Sequence, residues 1–162
     1  MPLRESLLVA LQICDILQAA HERNIVYRDH KILHYYWDPD QGGVYAIDWN
    51  IAKRYPQGLS TAERQFDLVQ FGARALHHIL TGRAAPGALP LGPNRPEEIE
   101  RASHSYSVQW TYDDERLPNR VKEVLASVLA AEYTHIRELK QDLYQIYQQL
   151  TTATEAQAIQ TP

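Results

Sequence analysis

The sequence has little of what stabilises or targets several classes of protein. Cys14 is its only cysteine, which excludes an intrachain disulfide and a zinc site built from thiolates. No apolar run approaches the length of a membrane span, and the first residues lack the apolar core of a signal peptide. These absences favour a reducing compartment, and we expect the protein in the cytoplasm, with no membrane partner.

Clusters of basic residues are also missing. The chain has 16 Lys and Arg against 20 Asp and Glu, a formal net charge of −4 and a pI near 5.9. Because nucleic-acid-binding proteins concentrate Lys and Arg on one surface, this balance argues against nucleic acid as a partner. The rest is ordinary, since 44% of the 162 residues are hydrophobic and 22% are charged. That composition is typical of one globular domain.

Apolar spacing predicts helices on both sides of a β-hairpin. Residues Leu7–Arg23 carry apolar side chains at helical intervals, and Asn24 suits the left-handed residue that ends a helix. Two apolar runs, Leu33–Trp37 and Val44–Trp49, flank a turn rich in Pro and Gly, which predicts the hairpin. Further helices are expected over Phe66–Thr81 with Gly82 as the stop, over Pro96–Ala102, from Leu117 to about Ala131, and over His135–Leu150.

Together these elements predict a mainly helical α+β fold with one small sheet. Residues 50–66 are polar and are expected to be irregular, and residues 83–95 are rich in Pro and Gly and are expected to form a loop. We predict a single domain over residues 1–150. The remaining residues, 151–162, are small and polar, and we expect a disordered tail.

Two acids lie at the ends of segments that the hairpin joins. Asp29 follows the first helix, and Asp48 ends the second hairpin strand. Since a hairpin brings the ends of its two strands together, both carboxylates are expected to face one cleft, with Lys31 nearby. Two acids and a lysine in a cleft are the groups that phosphoryl transfer uses: one acid orients a hydroxyl, one holds magnesium, and the cation spreads charge.

Three short motifs follow one another in an informative order. His21–Lys31 ends in Tyr27-Arg28-Asp29-His30-Lys31, Asp48-Trp49-Asn50 follows, and Asp67–Gly72 then runs on to Ile79-Leu80-Thr81-Gly82-Arg83. In this order they resemble the catalytic loop, the Asp-Phe-Gly motif and the central helix of a Ser/Thr protein kinase. The resemblance covers nearly the whole chain and implies the fold of a kinase C-terminal lobe.

The resemblance implies chemical roles for three of the matched residues. Asp29 would accept or orient the substrate hydroxyl, and Lys31 would contact the transferring phosphate. Asp48 would hold magnesium against the phosphates of ATP. These three side chains would carry catalysis if the chain were active.

The same resemblance implies structural roles for other residues. Asp67 would accept hydrogen bonds from the backbone around Tyr27 and Arg28 and so keep the loop in shape, and Gly72 belongs to the same central helix. Trp49 replaces the phenylalanine of the Asp-Phe-Gly motif and would stiffen a joint that moves in the family.

Several positions depart from the family pattern in ways that weaken catalysis. His34 stands where the second metal-binding asparagine is expected, and imidazole is a poor ligand for Mg²⁺. Tyr36 falls beneath the expected adenine position, where a phenol ring would fill the space. The stretch from Asp48 to Asp67 is short and lacks Ala-Pro-Glu. With no Gly-rich loop, strand lysine or helix glutamate ahead of the first helix, the N-terminal lobe is expected to be absent.

From these departures we expect a degenerate kinase-like module, a pseudokinase, that does not transfer phosphate on its own. No cofactor is firmly expected, and Mg²⁺ and ATP would bind weakly. The partner would be another protein, or a second copy of the chain, on the surface that an N-terminal lobe normally covers, with Tyr36 and Trp37 as candidate contact residues.

Two alternatives stay open. One is the C-terminal lobe of an active Ser/Thr protein kinase whose N-terminal lobe comes from a partner or lies outside this sequence. The other is a remnant of a small-molecule kinase of the aminoglycoside or choline type, which Ile47-Asp48-Trp49 also resembles.

The remaining histidines and the cysteine have simpler interpretations. His30 and His34 have the spacing of a helical metal-binding pair, but they fall on a loop and a strand, so no zinc pair is expected. His77 and His78 are expected to be exposed or partly packed on a helix surface, and Cys14 is expected in the core.

Overall fold

The structure is a computed structural model, and it describes residues 1–86 and 117–159, with side chains up to residue 152. Within these ranges the fold is mixed α+β and mainly helical, with two small antiparallel sheets. The elements are α1 (Leu3–Glu22), β1 (Ile25–Val26), a 3₁₀ turn (Ile32–His34), β2 (Tyr35–Asp38), β3 (Gly43–Ala46), β4 (Lys53–Arg54), α2 (Thr61–Phe71), a π-helical turn (Gly72–Leu76), α3 (His77–Thr81), α4 (Asn119–Leu129) and α5 (Ile136–Ile159). The helix predicted over 96–102 lies outside the described residues.

The first helix is confirmed and begins slightly earlier than predicted, at Leu3. Its apolar face is fully buried at Leu7, Ile13, Cys14 and Leu17, and it packs mainly against α5, with further contacts to α3 and β3. Asn24 follows with a φ of 59°, which is the predicted left-handed residue. The chain therefore leaves α1 in a sharp turn and enters β1 at once.

The hairpin is confirmed, with shorter strands than predicted. β2 and β3 pair antiparallel, with Tyr36 opposite Tyr45 and Trp37 opposite Val44. Leu33 is not in the strand, because residues 32–34 close a 3₁₀ turn before β2 begins. Side chains alternate across the sheet, so Trp37 and Val44 pack on the core while Tyr36 and Tyr45 are exposed.

The prediction of an irregular segment over residues 50–66 is wrong in two places. Lys53 and Arg54 form β4, which pairs with β1. The next helix starts at Thr61 because the Ser60 hydroxyl accepts from the Glu63 backbone, while the Glu63 carboxylate accepts from the Ser60 N–H. This capping box satisfies donors that a helix N-terminus otherwise leaves open, and apolar periodicity alone does not detect it.

The predicted helix over 66–81 is a continuous run of α2, the π-helical turn and α3. It ends at Gly82 with a φ of 81°, as expected for a left-handed stop. Gly72 lies directly against α4, where a Cβ would come within 2.7 Å of a Val128 methyl carbon. His77 is fully buried, so its predicted place near the surface is wrong: the π-helical turn adds a residue and rotates this side chain inward.

The two C-terminal helices complete the core. α4 has the predicted bounds to within two residues, whereas α5 continues to Ile159, nine residues past the predicted end at Leu150. The extra turns contain Ala, Glu and Gln, which are good helix formers. In the described part of the chain, no helix has both the length and the apolar character needed to cross a membrane.

Candidate functional site

One buried carboxylate holds the loop that follows β1. Asp67, on α2, is 0% exposed. Its Oδ2 accepts from the Tyr27 backbone N–H at 3.1 Å and its Oδ1 from the Arg28 N–H at 2.8 Å. These are the hydrogen bonds that the resemblance implies for this residue. These two hydrogen bonds fix the loop that carries Asp29 to α2.

Two histidines complete the set of donors to Asp67. His21 Nε2 lies 2.9 Å from Oδ2, and His30 Nε2 lies 2.8 Å from Oδ1. Burial alone would raise the pKa of this carboxyl, but His30 and His21 outweigh burial and leave the pKa well below its usual range. Asp67 is therefore ionised, and each imidazole donates its Nε2 hydrogen to it.

The network continues from His30 to Tyr35 in β2. Burial raises the pKa of Tyr35 well above its ordinary value, so its hydroxyl stays protonated, and it forms a hydrogen bond of 2.7 Å with His30 Nδ1. Sequence reasoning missed His21 and His30 as parts of this network. No local pattern signals them, because Asp67 lies 46 and 37 positions away along the chain.

Three further side chains, two of them buried, form a second cluster. In the part of the chain that the structure describes, Asp29, His34 and Asp48 are the group that could hold a metal ion. Each offers one ligand atom, and these three atoms all lie within 4.8 Å of one another. His34 Nε2 lies 3.4 Å from Asp48 Oδ2, and His34 Nδ1 lies 3.7 Å from Asp29 Oδ2. The predicted meeting of Asp29 and Asp48 in one place is confirmed.

Two cations accompany Asp29. Lys31 Nζ donates to Asp29 Oδ2 at 2.9 Å, and Arg74 lies 3.7 Å from Asp29 Oδ1. Lys31 was expected here, but Arg74 was not. Arg74 reaches the cluster from the π-helical turn, whose extra residue shifts the face on which a side chain emerges, so ordinary helical spacing does not place it.

Aromatic packing positions Asp48 at the end of the hairpin. The Tyr27 hydroxyl donates to the carbonyl of Ile47, and the rings of Tyr27 and Trp49 pack with centroids 4.6 Å apart. Asn50 donates its side-chain amide to Asp48 Oδ1 at 2.6 Å. Asp48 itself has a φ of 59°, a strained conformation for a residue with a side chain, and such residues concentrate at functional sites.

A cavity of about 570 Å³ opens beside the cluster. Its walls include Asp29, Asn50 and three basic residues, Arg28, Lys53 and Arg74. The Arg28 backbone is left-handed, with a φ of 73°. The acidic cluster therefore borders a basic wall, so the two sides of the site favour ligands of opposite charge.

Tyr36 and His30 have surroundings different from those of the cluster. Tyr36 lies outside the cluster, on the exposed face of β2. His30 faces Asp67 while His34 faces Asp48, so the two histidines use different partners.

Comparison with models of known protein families and with curated proteins gives no match for this chain. The function is therefore argued from the geometry of the site.

Proposed function

We propose that this chain is a kinase-like module of the C-terminal-lobe type, which binds a protein and does not transfer phosphate on its own. The kinase-like part is supported by the order of three features: the loop bearing Asp29, the hairpin ending at Asp48, and the central helix whose Asp67 holds the loop. Each feature is common by itself, and the proposal accounts for their occurrence together at one site.

The observation that carries the binding role is an exposed apolar surface. The hairpin patch consists of Leu33, Tyr36, Tyr45, Ile47, Trp49 and Ile51, which are between 36% and 78% exposed. Tyr36 and Tyr45 are directly opposite each other across the strands, and the Ile47 N–H donates to the His34 carbonyl just beyond them. Large apolar side chains left exposed along one short segment of the chain are a feature of protein interaction surfaces.

The internal pairing of the site argues against phosphate transfer. Asp48 has one oxygen bonded to Asn50 and the other facing an imidazole, which is a soft ligand for Mg²⁺. Asp29 is held by Lys31, so its carboxylate is already engaged by a cation. Mg²⁺ would have to share Asp48 with an imidazole nitrogen, and a substrate hydroxyl would have to displace Lys31 from Asp29.

A second function, phosphotransfer with ATP, is favoured by one specific observation. Asp29, Lys31 and Asp48 are brought together in one place, and these are the groups that the reaction uses. This alternative requires further groups to cover the nucleotide.

Transfer of labelled phosphate from ATP, with Mg²⁺, to a generic protein substrate separates the two functions. We expect the wild type to show no more transfer or ATP hydrolysis than Asp29→Asn, which lacks the charged carboxylate. Activity that depends on Mg²⁺ and disappears in Asp29→Asn would overturn the proposal and favour the enzyme.

The identity of the bound protein is tested by sedimentation over a range of concentrations. If the partner is a second copy, the wild type will associate, and Tyr36→Ser will not. Tyr144→Ser is the matched control, because Tyr144 is 49% exposed on α5, away from the hairpin patch. A wild type that stays monomeric would assign the patch to a different protein.

A further inference from the structure

The orientation of His34 is set by a backbone group. His34 Nδ1 lies 3.0 Å from the carbonyl oxygen of Asp29. Because a carbonyl only accepts, Nδ1 carries the hydrogen, and in the neutral ring Nε2 is then an unprotonated nitrogen with a free lone pair. The residue is only 9% exposed, so the ring has little freedom to turn away.

That lone pair faces a carboxylate oxygen. His34 Nε2 and Asp48 Oδ2 are 3.4 Å apart, which is longer than a hydrogen bond of about 2.7–3.2 Å. Two lone pairs at this distance repel each other unless a cation lies between them. The geometry therefore leaves a place for an electrophile.

We propose that Asp29, His34 and Asp48 form a site for a divalent transition metal, of which Zn²⁺ is the representative ion. Zinc bonds to imidazole and carboxylate of about 2.0–2.2 Å place tetrahedral ligand atoms roughly 3.3–3.6 Å apart. The distance between His34 Nε2 and Asp48 Oδ2 falls in that range. A carboxylate oxygen of Asp29 supplies the third ligand, and the fourth position is open to water or to a ligand.

The groups around His34 and Asp48 orient these two ligands, as the outer shell of a metal site does. The Asp29 carbonyl fixes the His34 tautomer, and the Asn50 amide bonds Asp48 Oδ1 so that Oδ2 is directed at His34. Hydrogen bonds of this kind orient metal ligands and strengthen binding.

Two cations oppose the ion and limit its affinity. Arg74 and Lys31 both approach the Asp29 carboxylate. The Lys31 side chain is 49% exposed, so its ammonium can move into solvent when a metal takes its place. Removing this charge in Lys31→Met is therefore expected to strengthen metal binding.

The proposed site goes beyond the proposed function and does not depend on it. It requires neither a nucleotide nor the hairpin patch, and its donor set selects the metal. One nitrogen and two carboxylates suit Zn²⁺ and similar ions, whereas Mg²⁺ prefers oxygen ligands alone.

The test is calorimetric titration of the metal-stripped chain with Zn²⁺ and, separately, with Mg²⁺. We expect one Zn²⁺ per chain and no measurable Mg²⁺ binding. Affinity for Zn²⁺ should fall by at least about tenfold in His34→Asn and in Asp48→Asn, and should rise in Lys31→Met. His135→Asn, at an exposed histidine on another surface, controls for adventitious binding and should leave the affinity unchanged.

A second measurement shows whether a loss of metal binding in a variant is caused by misfolding. Co²⁺ added to the wild type should give the strong visible absorption of a tetrahedral site, and His34→Asn should lose it while keeping the wild-type circular dichroism. Equal Zn²⁺ affinity in wild type and His34→Asn would overturn the proposal, as would Mg²⁺ binding as tight as Zn²⁺ binding. If neither metal binds, the cation between His34 and Asp48 is a proton, and the metal site does not exist.

Discussion

The chain contains two carboxylate centres that are close in space and opposite in character. Asp67 is fully buried, and its two oxygens accept four hydrogen bonds from two backbone N–H groups and two imidazoles. Asp48 is 37% exposed at its side chain, and one of its oxygens faces an imidazole without a hydrogen bond between them. The hydrogen-bonding capacity of the first carboxylate is filled by the protein itself, whereas the second has one oxygen without a hydrogen bond.

The difference separates a carboxylate that stabilises the fold from one that is accessible to a ligand. A saturated buried carboxylate has no capacity left for a ligand, and removing it leaves several donors stranded. A half-exposed carboxylate contributes little to stability and keeps an oxygen available. Substitutions at the two centres should therefore affect different measurements.

The largest effect is expected at Asp67. Asp67→Asn removes the charge that two imidazoles and two N–H groups face, and it should lower the free energy of unfolding by about 3–5 kcal/mol, measured by urea denaturation. Asp40→Asn removes the same charge at an exposed turn position and should leave stability nearly unchanged. Equal losses in the two variants would show that Asp67 is not a structural centre.

The pH dependence of stability should follow the same carboxylate. Because the pKa of Asp67 is lowered on folding, its contribution is present above the unfolded value of about 3.9 and is lost as the pH falls toward the folded value. Urea denaturation of the wild type should therefore show stability falling below about pH 4. The gap between wild type and Asp67→Asn should shrink over the same range, and a gap that stays constant would contradict this assignment.

A smaller effect is expected where the central helix run meets α4. Gly72→Ala places a Cβ within 2.7 Å of a Val128 methyl carbon, and overpacking of this kind costs about 1–3 kcal/mol. Gly43→Ala is the control, since its nearest neighbour would be 3.9 Å away. The double variant Gly72→Ala with Val128→Ala should lose less than the sum of the two single losses; strict additivity would place the damage elsewhere.

The capping box that starts α2 should matter still less. Ser60→Ala removes the acceptor for the Glu63 N–H and should lower stability by about 1 kcal/mol. Thermal denaturation followed by circular dichroism measures this loss. Thr61→Ala, one residue further on and without a hydrogen bond in the capping box, should change the melting temperature less.

The smallest change in stability is expected at Asp48. Asp48→Asn should stay within about 0.5 kcal/mol of the wild type in urea denaturation, as is usual for exposed positions. A loss comparable to that of Asp67→Asn would remove the distinction between the two centres.

The sequence predicts the meeting of Asp29 and Asp48 better than it predicts the residues around them, and the reason is the range of the interactions. The hairpin follows from local alternation and turn residues, so the meeting of Asp29 and Asp48 follows as well. His21 and Arg74 reach their partners through tertiary packing and a π-helical turn, neither of which leaves a local pattern. The start of α2 escapes prediction for a different reason. It is set by the capping box of Ser60 and Glu63, and because both residues are polar, apolar periodicity does not indicate it.

The ends of two helices are predicted correctly from single residues. Asn24 and Gly82 both have the left-handed backbone that their positions predict, because that conformation depends on the residue itself. The end of α5 lies beyond the predicted one, because its last turns, although polar, contain Ala, Glu and Gln, which favour a helix.

The central claim, a kinase-like module that does not use Mg²⁺ and ATP, is tested most directly by thermal shift. Wild type, Asp48→Asn and the control Asp40→Asn are melted with millimolar ATP, with and without Mg²⁺ as the sole added metal. A ligand that binds only the folded state raises the melting temperature, and we predict no rise that depends on Mg²⁺ in any of the three. A rise in wild type and Asp40→Asn that is absent in Asp48→Asn would show a working phosphate site and contradict the account.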